Sequence, residues 1–316
     1  MLSSRFKFKH DYWDYLVILD ACRFDFFSHF CKHFFEGNLS KVLSLGSQTM
    51  EWCVNTFREY YNDVIYVSAN AYINSICEVA GFDAKRHFYK VVDVWHFGWN
   101  EELGTVHPEA VTKAALSVKY EYPNRRFIIH FAQPHAPYIS EEYLSRDSSS
   151  KTAETGLSRL LYDEETSRFS SSFRKSYRLI YNMLHEKLGL ANLYTWKLRA
   201  YLGVPPATPL DATRRRFGIN GLRRAYAENL RIVLGYVAFL ASRLPGKVVI
   251  TSDHGELLGE KRMFDHPAGL HNPILRIVPW FEITSVKERP KDVKHSRLEL
   301  DFKILQLKQK LRMRAH

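Results

Sequence analysis

The sequence predicts an α/β fold, a three-layer α/β/α sandwich whose central sheet is mostly parallel. Short apolar runs, typical of strands that are covered on both faces, occur at residues 16–19, 64–67, 127–130 and 248–250. Helical patterns of apolar residues alternate with these runs, at residues 50–61, 108–119 and 221–244. Because strands that alternate with helices form parallel sheets with helices on both faces, the two patterns together indicate a three-layer domain.

The length and composition of the chain fit one large globular domain with an insertion. The chain has 316 residues, of which 46% are hydrophobic and 25% charged, and this composition excludes wholesale disorder. We expect residues 1–286 to form the domain. Within it, residues 141–218 are rich in Ser, Thr, Arg and Tyr, which predicts a helical, partly Ser-rich cap. Residues 287–316 form a basic tail that we expect to be helical.

The net charge of +11 indicates an anionic partner. Basic clusters occur at residues 214–216, at residues 223–224 and along the tail, and solvated helix faces explain most clusters of this kind. Specific nucleic-acid binding is therefore not expected, and peripheral contact between the tail and an anionic membrane surface is favoured over it. The sequence gives no indication of the oligomeric state.

The sequence also indicates a cytoplasmic protein whose membrane contact, if any, is peripheral. No apolar run has the ~18 to 20 residues needed to span a bilayer, and residues 1–10 lack the apolar segment of a secretory signal. The chain has four cysteines, Cys22, Cys31, Cys53 and Cys77. Because none of them has the CxxC spacing of a zinc site, we expect free, mostly buried thiols and no disulfides.

Metal-binding residue types follow two of the predicted strands at the point where each strand ends. Asp253 and His254 follow the run at residues 248–250, and Asp20 follows the run at residues 16–19. The carboxyl ends of parallel strands share one edge of a sheet, so these residues could converge on one cation. Taken alone, Asp20 could equally be a helix cap or a solvated turn residue.

Further imidazoles lie in loops that could close over the same edge. His130 and His135 belong to the segment IHFAQPHAPY (residues 129–138), in which two prolines restrict the loop. His266 and His271 follow Asp253 along the chain. Any one of these histidines is more often a structural hydrogen-bonding residue than a ligand, but random placement does not readily concentrate them in this way.

Small hydroxyl residues precede the predicted helix at residue 50, in LSLGSQTMEW (residues 43–52). The simplest interpretation is that Ser47 or Thr49 caps the helix. The same position has a chemical use, because a hydroxyl at a helix N-terminus lies among free backbone N–H groups and the positive end of the helix dipole. That environment favours both an alkoxide nucleophile and an anionic transition state.

These residues together resemble the alkaline phosphatase and sulfatase superfamily. The resemblance is carried by the order of six residues, Asp20, Thr49, His135, Asp253, His254 and His266. The segment SDHGELLGE (residues 252–260) is similar to phosphoethanolamine transferases and lipoteichoic acid synthases, and QPHAPY (residues 133–138) resembles the histidine loop on the substrate side in those proteins and in sulfatases. The resemblance covers roughly residues 12–140 and 220–282 and leaves the insertion and the tail outside it.

The resemblance implies an alkaline-phosphatase-like catalytic domain that binds one or two divalent metal ions. Asp20, Asp253 and His254 would bind the principal ion, and Thr49 would contact it as the nucleophile. His266 would bind a second ion together with His135, or both histidines would stabilise the anion and protonate the leaving oxygen. The weaker candidates are His130, Asp265 and His271. A set of carboxylate, imidazole and hydroxyl ligands accepts zinc, manganese, calcium or magnesium.

The function that the resemblance implies is metal-dependent hydrolysis of phosphate or sulfate esters through a covalent Thr49 ester. The substrate would be an anionic ester, which could be attached to a glycan or a lipid. A formylglycine-type sulfatase is disfavoured, because the chain lacks a C/S-x-P-x-R signature at these motifs. Two alternatives stay open: a transferase that moves a phosphoryl-linked headgroup to a glycan or lipid, and a non-catalytic anion-binding protein.

Two polar residues near the first strand have both a structural and a functional interpretation. Arg23 could pair locally with Asp25 or reach the substrate anion, and we favour the local pair. Asn70, after the run at residues 64–67, could be a turn residue or line the pocket.

Overall fold

The computed structural model describes residues 13–144, 206 and 208–287. Its strands are β1 (Tyr15–Leu19), β2 (Phe35–Leu43), β3 (Tyr61–Ser68), β4 (Phe88–Asp93), β5 (Trp99–Asn100), β6 (Thr105–Val106), β7 (Arg126–Phe131), β8 (Val248–Thr251), β9 (Leu257–Leu258), β10 (Phe264–Asp265) and β11 (Ile277–Val286). Its α-helices are α1 (Phe24–Phe30), α2 (Thr49–Thr56), α3 (Val94–Phe97), α4 (Pro108–Glu121), α5 (Pro209–Ala241) and α6 (Pro273–Arg276).

Within the described residues, seven of the strands form one sheet in the order β2-β11-β8-β1-β7-β3-β4. β1 pairs in parallel with both β7 and β8, and β3 pairs in parallel with both β7 and β4. β11 runs antiparallel to its two neighbours, β8 and β2. The predicted α/β fold with a mostly parallel sheet is therefore confirmed, and the antiparallel β11 is an addition that the sequence patterns did not predict.

The side chains of β1 show why the domain has three layers. Tyr15, Val17 and Leu19 pack into one core together with residues of α1, α4 and α5. Leu16 and Ile18, on the other face, pack into a second core with residues of α2. All five side chains are buried, as expected for a strand covered on both faces, so the sandwich prediction is confirmed.

The boundaries of two helices differ from the predicted ones. The helix predicted at residues 50–61 ends at Thr56, because the chain turns into β3, where Tyr61 already pairs with Phe88. The helix predicted at residues 221–244 is the second part of α5, which begins earlier, at Pro209, and is interrupted at Gly218. Gly218 has a φ of 69°, a left-handed conformation that glycine adopts without steric cost.

β2 was missed by the sequence analysis because its composition is not typical of a strand. Its residues, FEGNLSKVL, include Gly, Asn, Ser and Lys, and most of its side chains are exposed or only half-buried. β2 is the edge strand beside β11, so only part of its surface joins the core. A strand at such an edge carries little of the apolar pattern on which the prediction relied.

The predicted cap and tail are largely outside the part of the chain that the structure describes. Of residues 141–218, the structure describes 141–144, 206 and 208–218, and of the tail at residues 287–316 it describes Lys287. All four cysteines are free; three are buried and Cys77 is exposed, as expected. None of the helices among the described residues is long and apolar enough to cross a membrane.

Candidate metal centre and nucleophile

Asp20 and Asp253 lie at the carboxyl ends of neighbouring strands, β1 and β8. The chain turns sharply after Asp20, where Ala21 has a φ of 58°. This turn aims the backbone N–H of Ala21 at Asp253, whose Oδ1 accepts its hydrogen bond at 3.1 Å. The structure thus brings together the two carboxylates that the strand-end pattern predicted at one edge of the sheet.

Thr49 is the first residue of α2, and its hydroxyl faces these strand ends. Its Oγ1 donates a hydrogen bond to Asp253 Oδ2 at 2.8 Å and lies 3.3 Å from His254 Nε2. Gln48 is the cap residue of α2, and its side chain makes no capping hydrogen bond, so the interpretation of Ser47 or Thr49 as the cap is wrong. Instead, the Thr49 hydroxyl joins the cluster of Asp253 and His254 at the positive end of the helix dipole.

The ring of His254 presents Nε2 to this cluster as a free lone pair. Its Nδ1 lies 2.8 Å from the Gly255 carbonyl oxygen, an acceptor that requires the proton to be on Nδ1. Nε2 then lies 3.4 Å from Asp253 Oδ2 and 3.7 Å from Asp20 Oδ1. Burial lowers the pKa of His254 to about 4, despite the opposing effect of Asp253, so the ring is neutral. A neutral imidazole oriented by a carbonyl is the form that binds metal ions.

The two carboxylates differ in pKa although both are buried. Burial, followed by repulsion from Asp253, raises the pKa of Asp20 to about 7. Burial acts in the same direction on Asp253, but the hydrogen bonds from the Thr49 hydroxyl and the Ala21 backbone hold the pKa of Asp253 below its usual value. Two buried carboxylates in one site repel each other when both are ionised, and a cation between them would relieve that repulsion.

The donor set formed by Asp20, Thr49, Asp253 and His254 fits a divalent cation. It combines carboxylate, hydroxyl and imidazole donors. Zinc and manganese bind all three kinds of ligand, and harder cations such as calcium bind the oxygen ligands. The ligand atoms of Asp20, Asp253 and the neighbouring His130 also lie within 4.8 Å of one another. The protein alone leaves one polar atom of this cluster unsatisfied, since His130 Nε2 is buried without a hydrogen-bond partner.

His130, a weaker candidate from the sequence, lies beside Asp20. Its Nδ1 is 2.8 Å from the Tyr66 hydroxyl, and its Nε2 is 3.9 Å from Asp20 Oδ2. Burial lowers its pKa to about 4 against the attraction of Asp253, so His130 is also neutral. Asn70 Nδ2 donates a hydrogen bond to the same oxygen, Asp20 Oδ2, at 2.9 Å, so Asn70 orients this carboxylate.

A second group of three residues, His135, Glu256 and His266, lies next to the first. The ligand atoms of these three residues are within 4.8 Å of one another. The rings of His254 and His266 have centroids 4.5 Å apart, and those of His135 and His266 are 5.1 Å apart. His266 therefore contacts the principal cluster but groups with His135, in the arrangement that a second cation would require.

Carboxylates surround one nitrogen of His266. Its Nδ1 lies 3.1 Å from Glu256 Oε1 and 3.1 Å from Asp265 Oδ1. Burial opposes the charged form of the ring, but these two carboxylates prevail and raise the pKa of His266 to about 10. In the absence of a cation, His266 is thus protonated at neutral pH and carries a proton next to the Thr49 cluster.

Glu256 is the residue of this site that the sequence analysis missed. Its side chain is 1% exposed, and its Oε2 is buried without a hydrogen-bond partner. A sequence signal does exist, because Glu256 follows the Asp253-His254 pair inside an apolar-rich segment in which residues 252–258 are all buried. A buried acidic residue next to a metal-binding pair is itself a candidate for the site.

Asn229 of α5 holds the loop that carries His135. Its Nδ2 lies 3.0–3.3 Å from carbonyl oxygens within residues 134–137, and its Oδ1 accepts a hydrogen bond from the Ile139 backbone at 2.9 Å. The Nδ1 of His135 is 2.6 Å from the Ala136 carbonyl oxygen, so Nδ1 carries a proton and the ring is held by its own loop. The sequence pattern of α5 did not indicate this role of Asn229.

Arg23 and His271 do not take part in either group. Arg23 is buried and pairs with both Asp25 and Glu260 at 2.7 Å, so the local ion pair that the sequence favoured is confirmed. His271 is exposed, and its Nδ1 lies 3.2 Å from Arg276 Nη1. Asp265, the remaining weaker candidate, contacts His266 as described.

Comparisons with known proteins find similar solved structures but no matching protein family and no matching curated protein. One similar structure is the integral membrane protein lipooligosaccharide phosphoethanolamine transferase A (EptA) from Neisseria meningitidis, with 13% identity and a TM-score of 0.46 over 84% of this chain and 47% of that one. The chain thus spans about half of the length of that transferase.

Two further structures come from other bacteria. The C-terminal periplasmic domain of EcEptC from Escherichia coli, in complex with Zn, has 13% identity and a TM-score of 0.44 over 86% of this chain and 72% of that one. The lipoteichoic acid synthase LtaP from Listeria monocytogenes has 12% identity and a TM-score of 0.38 over 89% of this chain and 68% of that one.

Proposed function

We propose that this chain is a metal-dependent hydrolase of phosphate or sulfate esters and that Thr49 is its nucleophile. The observation that carries the proposal is the 2.8 Å hydrogen bond from Thr49 Oγ1 to Asp253 Oδ2 at the first residue of α2. This contact gives the hydroxyl an acceptor for its proton, and the helix start supplies a positive field for an anion. Asp20 and His254 complete a donor set around the same hydroxyl.

Asp20, Thr49, Asp253 and His254 would hold the divalent cation of this site. When bound, the cation lowers the pKa of the Thr49 hydroxyl and offsets the negative charge of the ester. Asp253 accepts the Thr49 proton as Thr49 Oγ1 forms a bond to phosphorus or sulfur. The bond between that atom and the ester oxygen breaks, and its electron pair leaves with the alcohol oxygen.

His266 supplies the proton that this leaving oxygen needs. The carboxylates of Glu256 and Asp265 keep His266 protonated, with a pKa of about 10, beside the cluster. In the second half of the reaction, water attacks the Thr49 ester and returns a proton to His266, while Asp253 returns the first proton to Thr49 Oγ1. The products are the alcohol and phosphate or sulfate, and the protein regains its starting state.

A transferase is the second candidate, and the burial of Thr49 favours it. Thr49 and Asp20 are each 6% exposed, so an alcohol bound at this site would leave little room for water. If that alcohol belonged to a glycan or lipid, it would take the phosphoryl-linked group from Thr49. This reaction shares its first step with hydrolysis, so only the acceptor of the group distinguishes the two.

The test is hydrolysis of p-nitrophenyl phosphate, phosphodiester, phosphonate and sulfate by protein stripped of metal and resupplied with zinc, manganese or calcium. We expect metal-dependent turnover, and we expect Thr49→Ala to lower kcat by roughly 10³-fold or more, since the covalent route is lost. Thr49→Ser keeps a hydroxyl and is the matched control. Added alcohols or glycans that divert product from free phosphate would identify a transferase.

Other outcomes would contradict the proposal. Equal turnover by Thr49→Ala and the parent protein would remove Thr49 from the mechanism. Stoichiometric metal binding without turnover of any ester or transfer to any alcohol would point to the non-catalytic alternative. Metal stoichiometry also distinguishes one ion from two, since His135, Glu256 and His266 offer the donors for a second.

A further inference from the structure

The segment that follows His266 is fastened to the beginning of α2, the helix that starts with the proposed nucleophile. We call residues 267–272 the latch loop. The Gly269 backbone N–H donates to Glu51 Oε2 at 3.3 Å, and the Leu270 backbone N–H donates to Ser47 Oγ at 3.3 Å. The latch loop is therefore attached to residues on both sides of Thr49, although more than 200 positions separate the two segments in sequence.

A single carboxylate oxygen, Glu51 Oε2, is the centre of this attachment. Besides Gly269, it accepts a hydrogen bond from the Ser47 backbone at 2.8 Å and lies 2.8 Å from Ser47 Oγ. Ser47 Oγ also lies 2.9 Å from the Pro267 carbonyl oxygen, and its one hydrogen serves one of these two acceptors at a time. Burial opposes ionisation of Glu51, but the hydrogen bonds from Ser47 and Gly269 hold its pKa below the usual value.

The helix that follows the latch loop, α6, is anchored to the segment just before α2. Arg276 Nε donates to the Ser44 carbonyl oxygen at 2.7 Å, and the Ser44 backbone N–H donates to the Arg276 carbonyl oxygen at 2.7 Å. The middle of the loop has little buried surface, because residues 268, 269 and 271 are exposed. Polar contacts with Glu51 and Ser47, and not apolar packing, therefore hold the middle of the loop in place.

Glu51 would be expected at this position for another reason, because a carboxylate in the first turn of a helix stabilises the helix dipole. That reason does not require its oxygen to reach Gly269, on a different segment of the chain. Nor does it account for Ser47, whose hydroxyl contacts Glu51, Pro267 and Leu270. The contacts fit a residue that joins two segments.

We propose that Glu51, with Ser47, is a positioning residue that fixes His266 relative to Thr49. Thr49 lies two residues from both Glu51 and Ser47 along the chain, and His266 directly precedes Pro267. One carboxylate thus sets the distance between the group that attacks the ester and the group that protonates its leaving oxygen. The effect on rate rests on the proposed function, whereas the attachment of the latch loop does not.

The first experiment does not need enzymatic activity. Hydrogen exchange in the peptide spanning residues 266–272 is compared among the metal-free parent protein, Glu51→Ala, Glu51→Gln and Val54→Ala. Val54 is an exposed residue of the same helix and serves as the control. We expect Glu51→Ala to speed exchange at Gly269 and Leu270 by about tenfold or more, because opening of this loop costs less free energy without the carboxylate. Glu51→Gln, which keeps an acceptor oxygen, should recover part of the protection.

The second experiment uses the ester that the parent protein turns over. Glu51→Ala should lower kcat by about 10- to 100-fold, with KM changed less, because misplacement of a reacting group acts mainly on the chemical step. If Glu51 acts through His266, the double variant Glu51→Ala/His266→Ala should be no slower than His266→Ala alone.

Unchanged exchange in Glu51→Ala would overturn the proposal, whether or not the protein is active. Additive losses in the double variant would also overturn it, since Glu51 would then act independently of His266. Absence of turnover in the parent protein would instead count against the proposed function, and the exchange result alone would then decide whether Glu51 holds the latch loop.

Discussion

The two groups of the site are built in different ways. Asp20, Asp253 and His254 emerge from neighbouring strands in the middle of the sheet and are buried, whereas His135 and His266 lie on loops and are half-buried. Strands fix the first group through their backbone ladder, so few further contacts are needed. The loop residues depend on individual polar side chains, chiefly Asn229 for His135 and Glu51 for the segment after His266. The comparison suggests that binding of the principal cation and the proton-transfer step can be disturbed separately.

Removal of a strand-end ligand should have the largest effect and should act on metal binding. Asp253→Asn keeps the shape of the side chain but removes the charge that both Thr49 and His254 face. We expect metal affinity to fall by about 100-fold or more, a larger loss than outer-shell changes produce. Isothermal titration calorimetry measures this loss, and the thermal stabilisation that added metal confers should shrink with it.

The same variant should lose little stability when metal is absent. In the metal-free protein Asp253 repels Asp20, so neutralising one carboxylate removes an unfavourable interaction and offsets part of the lost hydrogen bonding. The loss of unfolding free energy in chelator is compared with the loss of metal-binding free energy. If the two losses are equal, this view is contradicted and Asp253 is mainly a structural residue.

Loss of a loop residue should have a smaller effect and should act on the reaction instead. His266→Ala removes the proposed proton donor, and we expect kcat to fall by roughly 10²-fold, the usual contribution of a general acid. Affinity for the principal cation should stay within about threefold of the parent value, because the strand ends remain intact. An equal loss of metal affinity in His266→Ala and Asp253→Asn would remove the distinction between the two groups.

The smallest effect concerns the pH dependence of the metal-free protein. The folded-state pKa of Asp20, about 7, lies above its ordinary value of 3.8, so folding favours the protonated form. The stability that this carboxyl contributes is therefore present below its unfolded pKa and is lost as pH rises through about 7. In chelator, the melting temperature of the parent protein should fall relative to that of Asp20→Asn between about pH 4 and 7 and stay level with it at higher pH. Parallel curves for the two proteins would contradict the raised pKa.

The sequence predicted the strand-end residues well because their signal is local. An apolar run followed by Asp20, or by Asp253 and His254, contains both the strand and the residues at its end. Thr49 was identified on similar grounds, as a hydroxyl at a helix start. The antiparallel β11 and the edge strand β2 were not predicted, since their pairing depends on partners elsewhere in the chain.

Asn229 was missed for a different physical reason than Glu256, whose local signal lies beside the Asp253-His254 pair. What distinguishes Asn229 is burial together with hydrogen bonding to residues about 90 positions away, and neither property is visible in a local pattern. Asn229 resembles any polar residue of a long helix until the loop at residues 134–139 is placed against it. The carboxylate of Glu51 fits a helix start equally well with or without the latch loop.

The position of β1 in the sheet has a consequence for how the chain folds as it is synthesised. β1 lies between β7 and β8, so one of its two partners is at residues 126–131 and the other at residues 248–251. Until β8 leaves the ribosome, β1, the first strand among the described residues, has one unpaired edge, which makes the nascent chain prone to non-native association. The hydrogen bond between Thr49 and Asp253 spans 204 positions and must form after this strand closes the sheet. The candidate centre is thus among the last parts of the domain to assemble.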